Sequence, residues 1–126
     1  MIQIERVSVL PDWEWAEHTK REMTEDAMDI ITDSDFVYAV GNCAVVGLKY
    51  DNYLCPPSFW FVLAKTITPR ELFAFRQIQH LIPRGTVTGV DISNEENVRF
   101  AKVFGFEELN LFGTRAGIEY QVYRRK

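Results

Sequence analysis

Few side chains in this chain have a type and spacing that could do chemistry. Asp91 is one, in the run TVTGVDIS at 86–93. A carboxylate there, two residues after Gly89, could take a proton from a substrate, or it could accept hydrogen bonds that fix a turn. Tyr120 and Tyr123, in the run IEYQVYR, carry phenols able to donate a proton, unless both are simply half-buried sheet residues. Lys65 could pair with a phosphate. Cys43 and Cys55 read as reduced thiols, with Cys55 anchoring a loop; two cysteines are too few for a disulfide scaffold. His18 and His80 fall on different expected helices, so no metal site is expected. No Gly-x-Ser-x-Gly, Walker loop or Cys-His arrangement points to nucleophilic catalysis.

The elements that must position these groups are clearer than the groups. Residues 1–10 alternate loosely and read as a first strand, stopped by Pro11-Asp12. From Trp13 a helical pattern of Ala16, Met23, Ala27 and Ile30 follows, in one helix or two, with Trp13 and Trp15 outside its stripe. FVYAV and CAVVGLKY flank Gly41-Asn42, a dipeptide suited to a tight hairpin turn. SFWFVLA at 58–64 is apolar on both parities after its first residue, as expected of a central strand. Thr68-Pro69-Arg70-Glu71 is a capping box with proline at the first helical position, and Leu72, Phe75, Ile78 and Ile82 make that helix's buried stripe. The strand at 86–93 leads into a second helix, for which Ser93 and Glu96 predict another capping box. Asn97, Phe100, Ala101 and Phe104 share its inner face, and Gly105 ends it. FEELNLF and IEYQVYR then predict two final strands joined by a loop over 113–117.

This order predicts an α/β fold. It is a single domain over 1–126, with a mixed, mostly antiparallel sheet and helices on both faces. A chain of 126 residues with 47% apolar and 25% charged residues is ordinary for a globular protein. A net charge of −4 disfavours a general nucleic-acid binder. No apolar run is long enough to cross a bilayer, and the N-terminus lacks the pattern of a signal peptide. Arg99 and Lys102, with Arg76 and Arg84 if the two helices lie side by side, form either a solvated face or a docking surface for an acidic partner. If Phe73, Trp60 or Phe112 is exposed, a protein-binding surface becomes the economical explanation.

This element order and the stretch at 94–106 resemble the GNAT superfamily of acyl-CoA-dependent N-acetyltransferases. Asn94 matches the family's helix asparagine, Phe100 its leucine, and Gly105-Phe106 its closing pair. The resemblance implies that Asn94 and Phe100 line the coenzyme's pantetheine arm. If a coenzyme binds, the resemblance implies that backbone amides around Val62, Leu63 and Ala64 polarise the thioester; Lys65 could pair with a phosphate, and Asp91 is the best-placed candidate base. Two departures stand out. Ala101 occupies the place of the tyrosine that many members use to protonate the leaving thiolate, and residues 65–69 lack the family's glycine-rich phosphate turn.

Within the superfamily, Asn94-x-x-x-Val98-Arg99-Phe100-x-Lys102 and Phe59-Trp60-Phe61-Val62 resemble small GNAT-like internal virion or assembly proteins of short-tailed bacteriophages. That resemblance implies a degenerate, pseudoenzyme-like phage protein with a protein partner from virion or host. It would have no required cofactor and no nucleic-acid or membrane partner, and it would sit in the host cytoplasm or the virion. The alternative is an acetyl-CoA-dependent N-acetyltransferase with an unusual base and coenzyme loop.

Overall fold

The chain builds β1 (Ile4–Arg6), β2 (Phe36–Val40), β3 (Ala44–Lys49), β4 (Ser58–Leu63), α1 (Pro69–Gln79), β5 (Val87–Asp91), α2 (Glu95–Val103), β6 (Phe106–Arg115) and β7 (Ile118–Arg125). These come from a computed structural model that describes residues 3–8, 11, 13, 15, 33–50, 56–115 and 117–126. The helical pattern expected over 16–32 and the loop around Cys55 lie outside the described residues. The strands form one mixed sheet in the order β1-β2-β3-β4-β5-β7-β6. All its ladders are antiparallel except β4–β5.

Alternation along the strands divides the core in two. Val40, Ala44, Val46, Leu48, Phe59, Phe61 and Leu63 point to one face and meet Phe75 and Ile78 of α1 and Phe100, Ala101 and Phe104 of α2. Phe100 joins them: its ring lies 4.7 Å from Phe61, 4.9 Å from Phe75 and 5.3 Å from Phe104. Each buried phenylalanine contributes roughly 2–3 kcal/mol of transfer free energy, so this cluster is a main source of the fold's stability. Both described helices therefore share one face of the sheet. The opposite face of β2–β4 is lined by Val37, Ala39, Val45 and Ala64 with Trp13, Trp15 and Trp60. The two N-terminal tryptophans thus serve in packing, their rings 5.3 Å apart.

Two turns depart from expectation. At the first hairpin Val40 pairs with Ala44, so Cys43 belongs to a three-residue loop and does not start β3. Gly41 has φ 54° there, a left-handed conformation that costs little only without a Cβ. The expected loop over 113–117 is mostly strand. Arg115 pairs with Ile118, and Gly117, with φ 78°, lies in the turn. The β6–β7 ladder gains length through an irregularity between Glu108 and Phe112, where Gln121 Nε2 donates to the Leu109 carbonyl at 3.0 Å.

Trp60 fixes one further local feature. Its indole lies across Gly47 on β3, so a Cβ at position 47 would stand 2.3 Å from Trp60 Cε2. Its Nε1 donates to Ser34 Oγ at 2.8 Å. Glycine here is a matter of space, not of backbone angle.

Candidate functional site

The parallel strands β4 and β5 share a single register pair, Ser58↔Val87. Beyond it the described ladder ends, and the cleft between these strands is the natural place to look for a site. The flanking hydrogen bonds show which amides face it. Ala64 N–H donates to the Cys43 carbonyl on the β3 side at 2.7 Å, while the Pro57 carbonyl accepts from Val87 N–H on the β5 side at 3.2 Å. Successive residues of a strand present their backbone groups to opposite neighbours. Val62 and Ala64 therefore turn to β3, and Phe61 and Leu63 turn toward β5. Of the three amides expected from sequence, only that of Leu63 faces the cleft, and Phe61 joins it. The hairpin's pairing parity would have revealed this, but a sequence read strand by strand does not contain it.

At the start of α2 the expected cap shifts by one residue. Asn94 is the N-cap, its Oδ1 accepting from Asn97 N–H at 3.2 Å. Ser93 is unavailable because its Oγ donates to Asp91 Oδ1 at 2.7 Å, and its N–H donates to the same oxygen at 3.0 Å. Asp91 is 1% exposed, so this oxygen of the candidate base holds the turn between β5 and α2. Tyr120 lies opposite Asp91 in the β5–β7 ladder, which brings two of the candidate proton-transfer groups together. Tyr123 alternates to the other face and is buried. Burial first, then the Glu108 carboxylate, raises its phenol above the usual value, so it stays protonated. Asn94 is 5% exposed, and its Nδ2 has no hydrogen-bond partner among the described residues. Phe100 is committed to the aromatic core, and Ala101 is fully buried.

The start of α1 is the other half of the cleft's mouth. Thr68 and Glu71 form the expected capping box: Glu71 N–H donates to Thr68 Oγ1 at 3.2 Å, and Thr68 N–H donates to Glu71 Oε1 at 3.2 Å. The Thr68 hydroxyl donates to the same carboxylate oxygen at 2.9 Å. Lys65 Nζ lies 3.0 Å from the other oxygen, so the lysine that could have met a phosphate already holds a carboxylate. Burial works against the charge on Glu71, but the Lys65 ammonium and the Thr68 donors outweigh it and lower the carboxyl below its usual range. Pro69 has no N–H, and the Glu71 N–H is taken. Of the first-turn amides, that leaves Arg70's. Arg99 closes the same region from α2, donating to the Ile67 carbonyl at 2.5 Å and to Glu96 at 3.3 Å.

A helix N-terminus attracts anions through its free amides and dipole. Here the dipole is met by the protein's own glutamate, and a diphosphate would have to displace that charge or sit beside it. The residues at 65–71 therefore do not fit the diphosphate of a coenzyme. Among the described residues no group of three or more His, Cys, Asp or Glu side chains is placed to hold a metal ion.

Comparison of the whole fold with solved structures gives a consistent result. An N-acetyltransferase from Staphylococcus aureus superposes with a TM-score of 0.64 at 15% identity, covering 99% of this chain and 97% of that one. An IAA acetyltransferase from Bacillus cereus gives 0.63 at 11% identity, covering 99% of each. A spermidine N-acetyltransferase chimera from Vibrio cholerae gives 0.59 at 13% identity, covering 98% of this chain and 94% of that one. The chain has the GNAT acetyltransferase fold. No sequence-family model matches it, and no curated protein matches it in sequence. At these identities the likeness is one of fold, and what the GNAT frame does here has to be argued from its own residues.

Proposed function

We propose that this chain is a degenerate GNAT-fold protein of bacteriophage type, working as a virion-associated or assembly protein with little or no acetyl transfer. The observation that carries the reading is the Glu71 carboxylate at the α1 N-terminus, held by Lys65 and Thr68. It puts negative charge where a coenzyme's diphosphate would need positive potential. Ala101 in place of a proton donor points the same way. The phage attribution rests on the resemblance at Phe59-Trp60-Phe61-Val62 and at 94–102. The reading needs no cofactor. It places the protein in the host cytoplasm or the virion, with a protein partner from either. Among the described residues no helix is long and apolar enough to cross a membrane.

A second reading, an acetyl-CoA-dependent N-acetyltransferase, is favoured by one observation. The buried Asn94 Nδ2 lacks a partner among the described residues, as a donor awaiting a ligand carbonyl would. Isothermal titration calorimetry with acetyl-CoA, paired with a thiol-release assay over a panel of amines, separates the two. Degeneracy predicts a dissociation constant weaker than about 1 mM, a free energy near −4 kcal/mol, and no thiol release. Micromolar binding with thiol released on amine addition would overturn it in favour of the enzyme.

A further inference from the structure

The charges of this chain are unevenly divided. Residues 1–63 carry a net −7 and residues 64–126 a net +3, and between Glu71 and Asp91 there is no Asp or Glu at all. That acid-free stretch contains most of α1. At about 100° per residue, Phe73 lies opposite the buried Phe75–Ile78 stripe, with Arg70 and Arg76 about 60° to either side and His80 within the same arc. The solvent exposure agrees: Arg70, Phe73, Arg76, Gln77 and His80 are all exposed, and Phe73 keeps 67% of its surface. Among the described residues none of Arg70, Arg76 and Arg84 has an ion-pair or side-chain hydrogen-bond partner. The positive charge at Lys65 and Arg99, by contrast, is already matched by Glu71 and Glu96. Phe73 thus stands exposed between two arginines that have no acidic partner among the described residues, in a protein of net charge −4.

Between the C-terminal end of α1 and the sheet lies a shallow apolar groove with room for about one water (about 10 Å³), lined by Ile78 of α1, by Leu81 just beyond it and by Phe36, Tyr38, Leu48 and Phe59 of the sheet. Leu81 and Phe36 are exposed. Arg6 stacks 5.3 Å over the Phe36 ring at the sheet side of the groove.

We propose that the outer face of α1, together with this groove, docks an acidic segment of a partner protein that also carries apolar side chains. Charge complementarity selects the acidic residues. Phe73 and the groove require apolar ones. A nucleic acid would satisfy the arginines and leave the groove unfilled. The proposal deepens the partner half of the assembly reading and rests on that half alone. Coenzyme titration reads the cleft and peptide binding reads Phe73, Arg76 and the groove, which lie further along the helix from its start, so the two can fail separately.

The test is fluorescence anisotropy with the full chain and a fluorescein-labelled peptide of Glu, Leu and Phe. Controls are a peptide with Ser in place of Leu and Phe, and a single-stranded oligonucleotide of equal charge. The labelled peptide is expected to bind in the range of about 10–100 µM and to weaken roughly fivefold between low and moderate salt. Arg70→Glu with Arg76→Glu, and separately Phe73→Ser, should each weaken it about tenfold. All three positions are exposed, and unchanged thermal melts would confirm that the variants fold. Four results would each overturn the proposal. They are no binding of the apolar-bearing peptide, equal binding of the Ser peptide, tighter binding of the oligonucleotide, and self-association of the protein abolished by the arginine reversals.

Discussion

Replacing Glu71 by alanine should weaken the fold by a calculable and pH-dependent amount. The carboxylate accepts from Thr68 N–H and from the Thr68 hydroxyl, and it pairs with Lys65. Losing its half of the capping box costs about 0.5–1 kcal/mol. Lys65 is 48% exposed, so the ion pair is screened and adds only about 0.3–0.5 kcal/mol. The total is about 0.8–1.5 kcal/mol. With about 2.1 cal/mol/K of unfolding entropy per residue, 126 residues convert this to a melting temperature lower by about 3–6 °C. The sign with pH follows from the lowered carboxyl of Glu71. A group whose folded value is depressed stabilises above its ordinary pKa and loses that contribution as pH falls through the folded value. The gap between wild type and Glu71→Ala should therefore be full near neutrality and close in acid. Scanning calorimetry at neutral and acidic pH measures it. A neutral-pH difference below about 1 °C, or one that persists undiminished in acid, would refute the account of Glu71 as an internal anion at the α1 N-terminus.

Two further substitutions probe the core. Gly47→Ala places a methyl group 2.3–2.5 Å from three indole atoms of Trp60. To clear it the ring must swing and release Ser34 Oγ, a cost of about 2–4 kcal/mol in urea unfolding; a loss under about 1 kcal/mol would mean the indole moves freely. Burial, and next the Glu71 carboxylate, push the Cys43 thiol up to about 11 from its ordinary 9.0. A raised acid is ionised more readily in the unfolded chain, so wild-type stability should fall between these two pH values, with Tyr123 adding to the loss. Urea midpoints should fall less steeply over that interval in Cys43→Ala, and equal slopes would remove Cys43 as the cause.

What could be read from the sequence was local. The Thr68–Glu71 box, the Gly41-Asn42 hairpin and the inner face Asn97-Phe100-Ala101-Phe104 each depend on neighbours within a turn or two of chain. The structure reproduces the box and the inner face, and it keeps the hairpin with a turn one residue longer. Where two local solutions compete, pattern cannot choose between them. Ser93 and Asn94 are both good caps, and the choice falls to Asn94 because the Ser93 hydroxyl is claimed by Asp91 at the strand end. The run from Gly113 to Gly117 is rich in turn-formers, yet pairing with β7 keeps it extended as far as Arg115. The orientation of the β4 amides depends on β3 and β5. The pairing of Lys65 with Glu71 depends on how the β4–α1 connection folds back. Both are tertiary facts, and both bear on the candidate site.

A single feature makes α1 a strong structural element and a poor ligand site. The four free amides and the positive pole of a helix N-terminus can be satisfied by the chain itself or by a bound anion. A glycine-rich turn leaves them open to a ligand. A Thr-Pro-x-Glu box closes them: proline deletes one amide, threonine takes another, and glutamate neutralises the pole. Lys65, which would otherwise offer charge to a phosphate, then becomes the counter-ion of that glutamate. The remaining positive charge of the helix, at Arg70 and Arg76 beside Phe73, lies on its exposed side. The helix start thus closes an inward anion site with its own residues, and the outward charge belongs to others. Restoring the cleft would thus require more than a tyrosine at position 101. The helix start would have to be rebuilt as well, by a substitution that gives up the stability its own carboxylate supplies.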